Sequence, residues 1–144
     1  MKWKWLPFAE LSAKELYDVL QLRERVFHVE QRCIYRDIDS LDITARHLLG
    51  YHEDRLICYL RVCLQNDVLV IGRIVVDAAH RHRGMGRMMI KNTVGTLTEK
   101  YPGFAISLSS QMDQVGFYSA LGFTKQGMPF DEAGVMRVKM VTAV

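Results

Sequence analysis

One segment governs the interpretation of this sequence: IVVDAAHRHRGMGR, residues 74–87. The run of β-branched residues at 74–76 predicts the end of a buried strand, and the residues from Met85 onward predict a helix. A basic turn that contains Gly84 and Gly86 lies between them. Glycine lets a ligand approach the backbone closely, and the start of a helix offers unpaired N–H donors and a positive dipole end. This combination favours a phosphate or pyrophosphate ligand.

The turn differs from two common phosphate-binding loops. A P-loop needs the pattern Gly-x4-Gly-Lys-Ser/Thr, which this sequence lacks. A dinucleotide fingerprint needs a third Gly or Ala at the place that Met89 occupies. The pattern that remains is Arg-x-x-Gly-x-Gly, filled by Arg81, Gly84 and Gly86.

The flanking sequence predicts an α/β protein with a mixed sheet and helices on its faces, in the order β-α-β-β-β-α-β-α-β-β. Ser12 and Glu15 form a capping-box pattern, which starts a helix expected to extend to Glu30. Further helices are predicted at 85–100 and 113–121. Strands are predicted around Trp3, Trp5 and Phe8, at 46–52, 55–65, 68–76 and 104–109, and in a final hairpin of 123–125 and 135–141.

Length and composition predict one compact domain over residues 1–144. Hydrophobic residues make up 49% of the chain and charged residues 24%, which excludes a disordered protein. A formal charge of +3 is too small to indicate a nucleic-acid-binding protein by itself. No apolar stretch approaches the roughly 20 residues that cross a bilayer, and we expect no signal peptide. Cys33, Cys58 and Cys63 match no CxxC pair, which favours a reducing cytoplasm.

Two motifs together make the sequence resemble the GNAT superfamily of N-acyltransferases. The acetyl-CoA loop of that family has the form Gln/Arg-x-x-Gly-x-Gly/Ala, which residues 81–86 match. The segment FYSALGF, residues 117–123, matches the family's Phe-Tyr-x-x-x-Gly-Phe at the expected interval of one helix and one strand. Residues 22–31, 35–42 and 46–47 are similar to the ElaA-type branch. The resemblance implies a GNAT fold and an acetyl-CoA-dependent N-acetyltransferase.

The resemblance also implies a binding site for acetyl-CoA as the acyl donor. Backbone N–H groups of residues 82–87 should hold the pyrophosphate, and the backbone of Ile74, Val75 and Val76 should pair with the pantetheine arm. Gln111 stands where many members carry an Asn that helps to hold this arm. The cofactor-binding residues expected in the turn are Arg81, His82, Arg83, Gly84, Met85, Gly86 and Arg87. The alternative for this basic run, which includes Lys91, is a solvated helix face.

By the same resemblance, Tyr118 is the general acid that protonates the departing CoA thiolate, as a phenol can do. The alternative is a core tyrosine on an amphipathic helix. The thioester carbonyl would be polarised by a backbone N–H of the fourth strand. The amine would then attack directly in a ternary complex, without a covalent enzyme intermediate.

The general base is the least defined part of this hypothesis. Ile106 stands where members that acetylate protein N-termini often carry a Glu, and it cannot take a proton. A base must then come from elsewhere, act through water, or be unnecessary for a neutral amine. The candidates for the base are Glu30, Asp37, Asp39, Asp42 and His47, and we expect Glu30 or His47 in the catalytic role. The carboxylates of the acidic loop, Asp37, Asp39 and Asp42, could equally bind a cationic amine, which is the role we expect for them.

The expected partner is a primary amine, either a small molecule, a peptide or a protein, and the chain would act as a monomer or homodimer without nucleic acid or membrane. His80 and His82 lack a third ligand nearby, so no metal is expected. Two other functions remain open. One is a catalytically silent acyl-CoA-binding regulator, which Ile106 permits, and the other is a nucleic-acid-binding protein that uses the Arg-rich turn.

Overall fold

The computed structural model describes residues 1–142, which form a seven-stranded mixed sheet. The strands are β1 (Lys2–Pro7), β2 (Arg46–His52), β3 (Arg55–Gln65), β4 (Val68–Val76), β5 (Ala105–Gln111), β6 (Phe123–Glu132) and β7 (Val135–Thr142). The helices are α1 (Ala13–Arg23), α2 (Met85–Lys100) and α3 (Val115–Ser119). The sheet order is β1-β2-β3-β4-β5-β7-β6, and only β4 and β5 are parallel among these pairs. The predicted element order and fold class are confirmed.

The first helix begins at the predicted capping box. The Ser12 hydroxyl accepts a hydrogen bond from the Glu15 N–H at 3.0 Å, and the Glu15 carboxylate accepts one from the Ser12 N–H at 2.9 Å. Beyond Arg23 the helix widens into a π-helix over Glu24–Glu30. The expected helix therefore does reach Glu30, but its last part is wound more loosely than an α-helix. Such π segments are frequent at functional sites.

The sheet separates two hydrophobic cores. One core lies against α1 and the π-helix and includes Val19, Leu22, Phe27, Leu49, Tyr59 and Val75. The other core lies on the side of α2 and includes Met89, Ile90, Leu97, Ile106, Leu108, Phe123 and Met140. No helix within residues 1–142 is long and apolar enough to span a membrane.

The C-terminal hairpin is longer than predicted. Strand β6 extends to Glu132 instead of ending near Lys125. The sequence signals there are turn residues, Gly127 and Pro129, but the structure accommodates them in a register shift between Gln126 and Phe130 within the strand. β6 lies at the end of the sheet order, and its Met128 is 84% exposed. The preceding helix α3 is shorter than predicted because a 3₁₀ turn, Met112–Gln114, replaces its first residues.

The close pairing of β2 with β1 and β3 depends on Gly50, which lies opposite Trp3 and Cys58. A Cβ atom built on Gly50 would overlap the Cys58 Sγ and would lie 2.8 Å from Cζ3 of Trp3. Both neighbours belong to the packed core or its margin. Gly50 is thus required by packing and not by a special backbone angle.

We therefore predict that Gly50→Ala lowers the free energy of unfolding by about 1–3 kcal/mol, because the added methyl overpacks this site. Urea denaturation followed by circular dichroism measures the change. The control is Gly95→Ala in α2, where an added Cβ meets open space, and which should raise the free energy of unfolding by about 0.5–1 kcal/mol. Equal effects of the two substitutions would contradict this interpretation.

Candidate functional site

The central feature of the site is the divergence of the two parallel strands. β4 and β5 are paired over three positions, Val68 with Ala105, Leu69 with Ile106 and Val70 with Ser107. From residue 71 onward, the β5-facing edge of β4 has no strand partner among residues 1–142, while β5 continues in pairing with β7. A cleft of about 390 Å³ opens between the two strands. The backbone groups of the free edge are available to a ligand that lies in the cleft.

A β-bulge shapes the wall of this cleft. Tyr59 and Arg61 of β3 pair with Val75 and Gly72 of β4, so three steps along β4 oppose two along β3. The bulge includes Arg73, whose φ of +52° lies in the left-handed region that costs free energy for a residue with a side chain. β-Bulges are over-represented next to active sites, where they redirect side chains and end regular pairing. Here the bulge lies directly at the lining residues 72–74.

The glycine-containing turn opens directly into α2. Gly84 is the residue before the helix, and its φ of +75° explains the requirement for glycine. A Cβ atom built on Gly86 would lie 3.7 Å from Cζ of Phe117 and 4.0 Å from Cγ2 of Val76. The end of β4, the start of α2 and the start of α3 therefore meet at one place. The first N–H groups of α2 have no partner within the helix and can donate to an anion there.

The arginines of the turn have different environments. Arg81 donates from Nε to the carbonyl of Val76 at 2.9 Å, and its guanidinium pairs with Glu30 at 2.8 Å. Arg81 therefore ties the turn to the end of β4 and to the π-helix. His82, Arg83 and Arg87 are exposed beside the turn.

Tyr118 lines the cleft together with Gln111. Its ring packs edge-on against Phe117 and Phe123, with centroid distances of 5.1 and 6.0 Å. Burial raises the pKa of the Tyr118 hydroxyl to about 12. The hydroxyl therefore keeps its proton at neutral pH and can donate it.

The acidic loop is not the open carboxylate patch that the sequence predicted. Asp37 pairs with Arg23 at 2.9 Å and with Arg73 at 2.8 Å. Asp42 pairs with Arg23 at 2.8 Å and with Arg61 at 3.0 Å.

Asp39 completes the cluster. It receives two hydrogen bonds from Arg61, at 2.7 and 2.8 Å, and one from Arg73 at 3.2 Å. Three carboxylates thus match three guanidiniums, and none of the three aspartates lines the cleft. The structure thus places Asp37, Asp39 and Asp42, which we expected to bind a cationic amine, against arginines and outside the residues that line the cleft. We call this cluster the arginine–aspartate network: Arg23, Asp37, Asp39, Asp42, Arg61 and Arg73.

The network also lowers the pKa of two of its carboxyl groups, Asp39 and Asp42. Hydrogen bonding from Arg61 lowers the pKa of Asp39 to about 2. Burial alone would raise the pKa of Asp42, but hydrogen bonds from Arg23 and Arg61 outweigh it and lower that pKa overall. Both groups therefore stay ionised at neutral pH.

The two residues expected as a base, Glu30 and His47, also lie outside the residues that line the cleft. His47 is 1% exposed, and its Nδ1 lies 2.6 Å from the Tyr59 hydroxyl while its Nε2 lies 2.9 Å from the Asp42 carbonyl. Because a carbonyl only accepts, Nε2 carries the proton, and Nδ1 accepts from Tyr59. Burial lowers the pKa of His47, which favours this neutral form. Glu30 binds Arg81 and does not line the cleft, so neither residue faces the place where an acceptor would lie.

The structure adds cleft residues that sequence reasoning missed. Arg73 lies on the bulge, Tyr35 follows the π-helix, and Glu132 and Arg137 come from the C-terminal hairpin. Among the acidic residues of 1–142, Glu132 alone lines the cleft. The hairpin could not be assigned to the site because its strand β6 was predicted to end before Glu132. Within the same residues, no group of three His, Cys, Asp or Glu side chains could hold a metal ion.

The family model of an acetyltransferase (GNAT) domain matches residues 11–144. Protein ElaA of Escherichia coli strain K12 is 37% identical over 149 aligned residues, which cover 100% of this chain and 97% of that protein. The crystal structure of Escherichia coli ElaA superposes with a TM-score of 0.94 at 35% identity, covering 99% of this chain and 100% of that one.

Two further solved structures have the same fold. An acyl-CoA N-acyltransferase from Pseudomonas aeruginosa has a TM-score of 0.94 at 30% identity, with 99% of this chain and 100% of that chain covered. An aminoglycoside 6′-N-acetyltransferase complexed with coenzyme A has a TM-score of 0.72 at 14% identity, with 99% and 96% covered. The second likeness concerns the fold alone.

We predict that protonation of Asp39 at low pH lowers the free energy of unfolding. Its pKa is about 2 in the folded state and 3.8 in an unperturbed carboxyl group, so the folded form binds its proton less readily than the unfolded form. The stability that this group contributes is present above about pH 4 and is lost as the pH falls toward 2, with a total of about 2 kcal/mol. Urea denaturation between pH 2 and 5 measures it.

Asp39→Asn should flatten this part of the pH profile. The exposed Asp113→Asn is the matched control and should keep the slope of the unmodified protein. Identical profiles for both variants would show that Asp39 does not carry the effect.

Proposed function

This chain belongs to the GNAT acetyltransferase family, and on that premise we propose that it transfers an acetyl group from acetyl-CoA to a primary amine by direct attack in a ternary complex. The observation that carries the proposal is the cleft between the diverging strands, with the free edge of β4 on one side and Tyr118 on the other. The cytoplasm is the proposed location, since Cys33, Cys58 and Cys63 are all buried free thiols.

The acetyl-CoA site follows the free edge of β4 and the turn after it. The backbone of Ile74, Val75 and Val76 pairs with the pantetheine arm as an added strand would. The N–H groups of residues 82–87 hold the pyrophosphate, and the exposed Arg83 and Arg87 contact phosphate oxygens. The unpaired strand edge and the meeting of β4, α2 and α3 beside Gly86 support this assignment.

In the proposed reaction the amine nitrogen attacks the thioester carbonyl carbon. A backbone N–H of the bulged part of β4 stabilises the developing oxyanion. The C–N bond forms, the C–S bond breaks, and the CoA thiolate takes the proton of the Tyr118 hydroxyl. The proton that the amine loses restores Tyr118 through solvent, so acetylated amine and CoA are the products. The position of Tyr118 in the lining of the cleft supports this role, and its hydroxyl carries a proton at neutral pH.

We assign the base to Glu132 in place of Glu30 and His47. An amine reaches the protein mostly as ammonium, which must lose a proton before it can attack. Glu132 is the carboxylate of the cleft and is 56% exposed in its side chain, so water can connect it to an acceptor. Ile106 is buried in the core on the α2 side and supplies no base.

We predict that Tyr118→Phe lowers kcat at least 100-fold, since a positioned acid contributes about 10²–10⁴-fold. The affinity for acetyl-CoA should change less than threefold, because the ring and its packing remain. Thiol release in steady state and calorimetry of acetyl-CoA binding measure the two effects. An unchanged kcat would remove Tyr118 from the reaction.

The assignment of Tyr118 as the acid also predicts how kcat depends on pH. Because the pKa of Tyr118 is raised to about 12, kcat should show no loss between pH 8 and 10 from ionisation of this residue. A loss in that range that disappears in Tyr118→Phe would contradict the assignment.

We further predict that Gly84→Ala weakens acetyl-CoA binding roughly tenfold, because Gly84 has a φ of +75°, which alanine adopts only at a cost of about 1–2 kcal/mol. A turn that relaxes from this conformation would displace the N–H groups proposed to hold the pyrophosphate. Gly86→Ala is the matched control, since the family pattern accepts Ala there and the nearest neighbour of the added methyl would lie 3.7 Å away; it should bind acetyl-CoA like the unmodified protein. Calorimetry measures both affinities, and equal affinities of the two variants would contradict the role given to the turn.

A further inference from the structure

Arg137 occupies a distinctive position in the cleft. It lies on β7, where its register partners are Gln111 on β5 and Phe130 on β6. Directly paired residues of antiparallel strands project from the same face of a sheet, so Arg137 and Gln111 lie side by side. Both line the cleft together with Tyr118. The guanidinium is therefore a neighbour of the place where an acceptor would meet the acyl group.

Among residues 1–142, the positive charge of Arg137 has only one ion-pair contact, and that contact is long. Arg61 and Arg73 also line the cleft, but each has close ion pairs with aspartates of the arginine–aspartate network. The Nε of Arg137 is buried and has no hydrogen-bond partner among residues 1–142. Its contact with Glu132 is long, 3.8 Å from Nε to Oε2, and the Glu132 side chain is largely in solvent.

A buried donor without a partner destabilises a folded protein, so such groups need an explanation. A guanidinium presents a planar fork of N–H donors that matches a carboxylate with two parallel hydrogen bonds. A carboxylate that enters the cleft would supply the partner that the fold itself does not provide. Glu132, beside it, would attract a positive group.

We infer that the acyl acceptor is a small amino-carboxylate, whose carboxylate binds Arg137 and whose amine approaches the cleft near Glu132. The guanidinium and the carboxylate of this pair complement the two charges of such a zwitterion. A cleft of about 390 Å³ must also hold the thioester end of the cofactor, which favours an acceptor the size of a free amino acid over a folded protein. This inference rests on the proposed acetyl transfer and names its substrate class.

The experiment compares matched pairs of acceptors. Each of a panel of α- and ω-amino acids is tested against its own carboxamide, which has similar shape but no negative charge. CoA release gives kcat/KM for both, and their ratio measures the preference for the carboxylate. Arg137→Gln is compared with Lys139→Gln, which removes a charge from an exposed position of the same strand outside the cleft.

For at least one pair, the unmodified protein should prefer the acid over its amide. Arg137→Gln should reduce that ratio by roughly 10- to 100-fold, as expected for loss of a charge-assisted hydrogen bond, mainly through KM. Lys139→Gln should preserve the ratio. Because the ratio compares two acceptors on the same protein, a general loss of activity or stability in Arg137→Gln does not change it.

The outcomes distinguish the inference about the acceptor from the proposed acetyl transfer itself. If carboxamides or simple amines are acetylated as well as the acids, or if Arg137→Gln keeps the ratio, the inference about the acceptor is wrong while acetyl transfer stands. If no acceptor of either kind releases CoA, acetyl transfer to these amines is wrong. Calorimetry of N-acetylated amino acids and their amides on the CoA-loaded protein then decides the carboxylate site, and equal affinities would overturn it.

Discussion

The folding of the site depends on the burial of one positive charge. Arg23 is 0% exposed, and a guanidinium cannot stay buried unless carboxylates and hydrogen bonds compensate for its lost hydration. Asp37 and Asp42 provide that compensation, and they in turn bind Arg73 and Arg61. The network therefore joins the last turn of α1, the irregular segment before β2, and the strands β3 and β4. Removing one member would leave the others with unpaired charge.

The same network explains how a non-glycine residue holds the left-handed conformation in β4. Arg73 makes two ion pairs with the aspartates, and its guanidinium lies 5.0 Å from the centroid of the Tyr35 ring. These contacts offset the backbone cost at the bulge. Since the bulge lies where β4 leaves β5, the buried charges on one side of the sheet help to keep the cleft open. The same ion pairs thus stabilise both the buried charges and the shape of the cleft.

The sequence predicted the elements whose signals are local. The capping box at Ser12 and the strand and glycine turn at 74–87 depend on residues close to one another in the chain, and Tyr118 was identified by the family motif at 117–123. The roles of Asp37, Asp39, Asp42 and His47 could not be predicted, because their partners are arginines and a tyrosine that are 12 to 36 residues away. A carboxylate in a polar loop looks the same in the sequence whether it faces water or a buried guanidinium. Glu132 was missed because Gly127 and Pro129 predicted a turn where β6 continues. Arg137 lies in the predicted strand 135–141, but nothing in the sequence showed that this strand borders the cleft.

The bulge in β6 has a further consequence for how the protein behaves at high concentration. An edge strand of ten residues with exposed apolar side chains is a template on which another chain could add a strand. Pro129 lacks an N–H, and the shift between Gln126 and Phe130 interrupts the row of backbone groups. An incoming strand could therefore follow this edge only in two short pieces that differ in register. That interruption protects the molecule against sheet-to-sheet polymerisation while it keeps the hairpin long enough to carry Glu132 and Arg137 to the cleft.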